Sequence, residues 1–273
     1  MRTLLIATLA LCATTAGAQT VQYRSKMGVD FKAAPDTGAI ARAQKDLGTD
    51  PKNVDKIITL GLAQAAVRQY KEAIATFTRG IAIAPKNPIL YRWRGHRYIS
   101  TGAFDKALAD LTLGNKLDST NYDILYHLGV AHFERGEFSE ATDAFARAQR
   151  RAPNPNELAG ASDWYWMAAS RARRPADAAR ALSVITDTVK ITTATAYWQR
   201  LLLYRGIINA GEVMTRTDTA AVQVATLSFG VGNWFLVRGD TGTAKIWFQR
   251  AVDSGGWPGF AFFASEIELK RLP

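Results

Sequence analysis

The chain has 273 residues, 48% of them hydrophobic, with 34 Lys and Arg against 24 Asp and Glu. That apolar share excludes a disordered chain and is enough for a sizeable core. The formal charge of +10 favours acidic partners or anionic surfaces, although the basic residues are spread along the chain with acids nearby, as on an ordinary solvated surface.

The first eighteen residues stand apart. Arg2 gives a positive start, Leu4 to Leu11 a short apolar run, and Ala16-Gly17-Ala18 small residues ahead of a cleavage point. Residues 1–18 therefore read as a secretory signal peptide removed before Gln19, which places the mature protein in a bacterial periplasm or outside the cell. The apolar run is too short to anchor stably in a bilayer. Lipid attachment at Cys12 is the weaker reading, because Leu11 stands where a small residue is required. Cys12 is the only cysteine, so the mature chain should contain no disulfide, cysteine nucleophile or thiolate metal site. An exported protein is not expected to bind nucleic acid. Residues 19–50 form an N-terminal extension with a short helix, and Gln19 to about Pro35 is expected to be poorly ordered.

From Val54 onward, residue types recur 34 positions apart. Gly61, Gly95 and Gly129 form one series, Ala73, Ala107 and Ala141 a second, and Phe77, Leu111 and Phe145 a third. Tyr70, Phe104 and Phe138 form a fourth. Such a period marks stacked helix–turn–helix units. In units of 54–87, 88–121 and 122–155, the small residue falls at position 8, Ala at 20 and a large apolar residue at 24. Position 32 holds Pro85 and Pro153 but Ser119, and the turn position 15 holds Gly102 and Gly136 but Arg68. Small residues let two antiparallel helices approach, Gly permits the turn, and Pro stops the second helix. Residues 51–153 thus resemble three tetratricopeptide repeats.

Residues 154–273 continue this pattern in degenerate form. Arg173 to Ala178 reads as a turn into a second helix, displaced by about three residues inserted near Pro153-Asn154-Pro155-Asn156. Ala194 to Ile208 reads as a first helix whose second helix, over Gly211 to Thr219, is eroded. Gly239, Ala244, Phe248 and Ala251 restore the frame, with a first helix from Leu227 to Val237. Phe260 to Leu269 reads as a capping helix with Glu266, Glu268, Lys270 and Arg271 at polar positions, since an end repeat would otherwise expose its apolar face. Val222 to Val237 comes nearest to a membrane span, but Gln223, Asn233 and several hydroxyl residues interrupt it. The expected fold is an all-α, helix–turn–helix solenoid of three regular and about three degenerate repeats.

The resemblance implies a protein or peptide partner bound in a concave groove, with no catalysis and no cofactor. Positions 2, 5, 9, 12 and 13 of each first helix usually face that groove. In the second repeat they include Arg92 and His96, and in the third Tyr126, Val130, Phe133 and Glu134. Arg92, His96, Tyr126 and Phe133 are the candidate binding residues, with Tyr126 expected to face Arg92. Arg94 and Tyr91 fall at structural positions. Ile58 and Leu62 of the first repeat depart from the Lys and Asn of a carboxylate clamp. His127 and His132 are five apart, off the spacing of a helical metal pair, and no metal site is expected. Neither HExxH nor GxSxG occurs. The alternative is an enzyme, using groups such as Asp163, or an anionic-polymer-binding module, with its site in the tryptophan-rich second half.

Overall fold

Asparagine starts the first helix of four successive pairs. Asn53, Asn87, Asn121 and Asn154 each accept a hydrogen bond at 2.9–3.1 Å from a backbone N–H of the helix that follows. Such caps satisfy donors that a helix N-terminus otherwise leaves free. They recur at intervals of 34, 34 and 33 residues, a periodic signal additional to the glycine and alanine series.

The computed structural model describes residues 20–186, 190–215 and 220–272. The signal segment 1–18, its cleavage point and Cys12 lie outside the described residues. Helix α1 spans Ala39–Thr49, and the helices then run in pairs. These are α2 (Val54–Ala66) with α3 (Tyr70–Ile83), α4 (Pro88–Ser100) with α5 (Phe104–Leu117), and α6 (Tyr122–Arg135) with α7 (Phe138–Arg151). Next come α8 (Pro155–Arg171) with α9 (Pro175–Ser183), α10 (Thr195–Tyr204) with α11 (Ala210–Thr215), and α12 (Ala221–Leu236) with α13 (Thr241–Asp253). Helix α14 (Phe260–Arg271) ends the described chain. The turn inside each pair contains one residue in the left-handed region: Arg68, Gly102, Gly136, Arg173, Gly206 and Gly239. Their intervals of 34, 34, 37, 33 and 33 residues define six repeats, three of them regular. The fold is an all-α solenoid, and the eroded fifth repeat keeps its turn at Gly206 while its second helix shrinks to α11.

Within a repeat the small residue at position 8 lies under the large one at 24. A methyl added to Gly95 would come within 2.8 Å of Leu111, and one at Gly129 or Gly232 within 2.7 Å of Phe145 or Phe248. The closest approach of the two helices is therefore made by Gly against the position-24 side chain, sixteen residues later in each case. Arg94 spans the same two helices and donates twice to Asp110, each bond 2.7 Å long.

Two segments differ from expectation. The N-terminal extension, expected to be poorly ordered to about Pro35, forms a hairpin of β1 (Val21–Arg24) and β2 (Asp30–Lys32), with Tyr23 opposite Phe31. Buried Gln22 anchors it by donating to Glu72 and accepting from the Lys71 N–H, both at 2.9 Å. The capping helix α14 does not turn its acids to solvent. Glu266 and Glu268 are buried, because α12 and α13 cover one side of α14 while the hairpin and α6 cover another. Glu266 accepts from the Tyr23 hydroxyl at 2.6 Å and the Lys26 N–H at 2.9 Å. Glu268 pairs with Arg171 at 3.0 Å and Arg271 at 2.9 Å.

Those contacts close the solenoid. Helix α14 meets α6, and α12 meets α8. Phe229 of α12 packs against Phe133 and Trp164, and Arg271 donates to the Glu134 carbonyl. Trp257 lies against Tyr70 and donates to the Ser100 carbonyl at 3.0 Å. The inner face of the repeats thus supplies part of the core. Among the described residues no helix is long and apolar enough to cross a membrane.

Candidate functional site

Coverage of the inner face deepens along the repeats. Ile58 and Leu62 of the first repeat keep partial exposure, whereas in the third Tyr126, Val130, Phe133 and Glu134 are all buried. Phe133 lies in edge contact with Phe138, Trp164 and Phe229 and is enclosed in the core. The structure does not place it with the other three candidates.

Arg92 and His96 lie one turn apart on α4 and do come together. Arg92 is buried, with its guanidinium 3.5 Å from the Trp93 ring centroid, and Nη2 donates to Asp123 at 2.9 Å. Asp123, rather than Tyr126, is the residue that Arg92 meets from the next repeat. The His96 ring centroid is 4.3 Å from that of His127, and Phe260 of α14 lies against both rings at 5.3 and 5.7 Å. His127 Nδ1 is 2.6 Å from the Asp123 carbonyl, which can only accept, so this nitrogen carries the proton. Burial first, then nearby arginines, hold both imidazoles well below the ordinary histidine range. They are neutral at physiological pH.

Tyr126 opens onto a second feature. A cleft of about 300 Å³ runs between α6, α8 and the start of α10, with Tyr122, Asp123, Tyr126, His127, Glu157 and Tyr197 among its lining residues. Tyr126 stacks on Tyr122 with ring centroids 5.9 Å apart, and its hydroxyl is 3.3 Å from that of Tyr197. The rim is set by Asn156, whose side-chain oxygen accepts from the Thr192, Thr193 and Ala194 N–H groups at 3.0–3.2 Å. Burial, aided by the surrounding hydroxyls and carboxylates, pushes the Tyr122 and Tyr126 hydroxyls far above their ordinary range, so they remain neutral donors. The cleft can seat an apolar or cationic side chain between tyrosine faces and offers hydroxyl and carboxylate groups for hydrogen bonds. Tyr197 and Asn156 are absent from the sequence-derived site. The insertion expected at Pro153-Asn154-Pro155-Asn156 is not there: the caps at Asn121 and Asn154 are 33 residues apart while the turns at Gly136 and Arg173 are 37 apart, so the extra residues lengthen α8.

Among the described residues of the second half, the acid candidate Asp163 and the tryptophans Trp164 and Trp166 are enclosed. Asp163 is fully buried against Arg200, with one bond of 2.8 Å and a second from Nη2. Trp164 is core and Trp166 stacks on Tyr204 with centroids 3.7 Å apart. Gly239 and Asp240 form the inter-helix turn, and Asp240 caps α13 by accepting from the Thr243 N–H.

Comparison with known proteins agrees with the repeat geometry. Residues 98–162 match the tetratricopeptide repeat family. Over 104 residues the chain is 30% identical to the heat-shock protein cognate co-chaperone sgt12 of Aspergillus fumigatus, a match covering 38% of this chain and 30% of that protein. It is 22% identical over 116 residues to anaphase-promoting complex subunit 3 of Schizosaccharomyces pombe, covering 42% of this chain and 17% of that one. The match thus spans under a third of either relative. A tetratricopeptide repeat protein from Parabacteroides merdae shares the fold, with a TM-score of 0.55 at 17% identity over 80% of this chain and 86% of that one. With its 34-residue period, its left-handed turns at matching intervals and this family match over residues 98–162, the chain carries tetratricopeptide repeats.

Proposed function

We propose that this is an exported interaction module that captures a segment of a protein partner at the tyrosine cleft between α6, α8 and α10, without catalysis. The fold is that of a protein-interaction scaffold. The cleft carries the reading because it offers aromatic faces and hydrogen-bonding groups where the rest of the third repeat's inner face is covered. Tyrosine dominates binding hot spots, and Tyr122 and Tyr197 are only half-buried. Export rests on residues 1–18. N-terminal sequencing of protein recovered from outside the cytoplasm should begin at Gln19, and a sequence beginning at Met1 would refute export.

The binding test uses Tyr197. Replacing it with a photo-cross-linking phenylalanine analogue in the native host should capture a protein, whereas the same group at exposed Ile246 should not. Tyr122→Ala with Tyr197→Ala should weaken affinity for the captured protein at least tenfold, about 1.4 kcal/mol. Equal capture at both positions, or unchanged affinity, removes the cleft as the site. Arg92→Ala with Tyr126→Ala is a poorer test, since both side chains are buried and bonded and their loss lowers stability as well.

A further inference from the structure

Behind the cleft lies positive charge that the protein does not balance. Arg92, His96 and Arg97 lie within two turns of α4, and the His96 ring is 4.3 Å from that of His127. Among the described residues Asp123 is the one carboxylate bonded to any of them. Arg97 is 7% exposed, lies over the Tyr70 ring at 4.9 Å, and donates to no described acceptor. Arg92 Nε and Nη1, Arg97 Nε and His96 Nδ1 are sealed from solvent without a partner. The terminal nitrogens of Arg97 are not sealed. The N-terminus of α14, at Phe260, lies against both imidazoles and has neither a side-chain cap nor an acid in its first turn. A helix N-terminus adds further positive potential.

A buried guanidinium without a counter-charge is strongly unfavourable. Two guanidinium groups with free N–H donors match the oxygens of a phosphate or carboxylate, which each can bind bidentately. We infer that Arg92, Arg97 and His96 form a binding site for an oxyanion, a phosphate or carboxylate group that enters past the terminal nitrogens of Arg97. This site stands independently of the tyrosine cleft and requires no protein partner.

Thermal unfolding in phosphate-free buffer, with inorganic phosphate or acetate added at ionic strength held constant with chloride, tests it. The wild-type melting temperature should rise with the added oxyanion, as expected when a ligand binds only the folded state. A rise with phosphate alone assigns a phosphate group, and a rise with acetate assigns a carboxylate. Arg97→Met keeps the apolar stem and removes the charge. It should melt no lower than wild type without the anion and bind the anion at least tenfold more weakly. No rise in wild type with either anion, or the same rise in Arg97→Met, overturns the inference. Should Arg97→Met not fold, titration calorimetry of wild type decides: saturable heat with phosphate or acetate supports the site, and its absence from both overturns it.

Discussion

Asp163→Ala should lower the stability of the folded chain by about 3–5 kcal/mol, the cost of leaving a buried charge without its partner. Asp163 and Arg200 are both completely inaccessible. Arg200 Nε donates to Asp163 at 2.8 Å, Nη2 makes a second bond to the same carboxylate, and Nη1 donates to the Thr226 carbonyl at 2.6 Å. A methyl group at Gly230 would collide with the Arg200 side chain, so α12 opens a slot for it. The pair thereby ties α8, α10 and α12 together in the half of the chain where repeat signals are weakest. Urea unfolding should show a lower midpoint with an unchanged slope. Asp163→Ala combined with Arg200→Met should recover most of the loss, because an apolar replacement for a whole buried pair is often neutral or stabilising. A loss below about 1 kcal/mol for the single change would mean that the pair is hydrated, and its place in the core would fall. This role also removes Asp163 from consideration as a free acid.

The repeats were readable because the rules that make them are local. Gly95 under Leu111 and Gly129 under Phe145 are sixteen-residue relationships, repeated at a constant interval. The caps at Asn53, Asn87, Asn121 and Asn154 are equally local. Closure of the solenoid is not. It depends on curvature accumulated over several repeats, and its contacts join residues far apart in the chain, such as Tyr23 with Glu266 and Phe133 with Phe229. No spacing rule reports on those pairs. Positions that face solvent in an open solenoid therefore became core, and Glu266 and Glu268 became buried acceptors.

The candidate residues divide along the same line. Arg92 and His96 were found because the repeat frame says which face of α4 points inward. Asp123 also occupies an inward position, but the Arg92–Asp123 pair depends on the geometry between repeats. Arg97 falls at position 10 of its repeat, outside the inward positions, and its lack of a counter-charge is visible only in three dimensions. Asn156 and Tyr197 come from the fourth and fifth repeats, where degeneracy obscures the frame.

The central claim is that α12 and α14 cover the inner face of the third repeat. Val130 is fully buried on α6, one turn from Tyr126 and His127 on one side and from Phe133 and Glu134 on the other. Cys12 is the only cysteine, so one thiol can be installed in its absence at Val130 and, for comparison, at Ile246, which is 70% exposed. The rate of thiol labelling under native conditions measures how often each position opens to solvent. The closed solenoid predicts that Val130→Cys labels at least about a thousandfold more slowly than Ile246→Cys, as expected for a position exposed only by larger openings. Equal labelling rates in two folded variants would show an open groove and contradict the account.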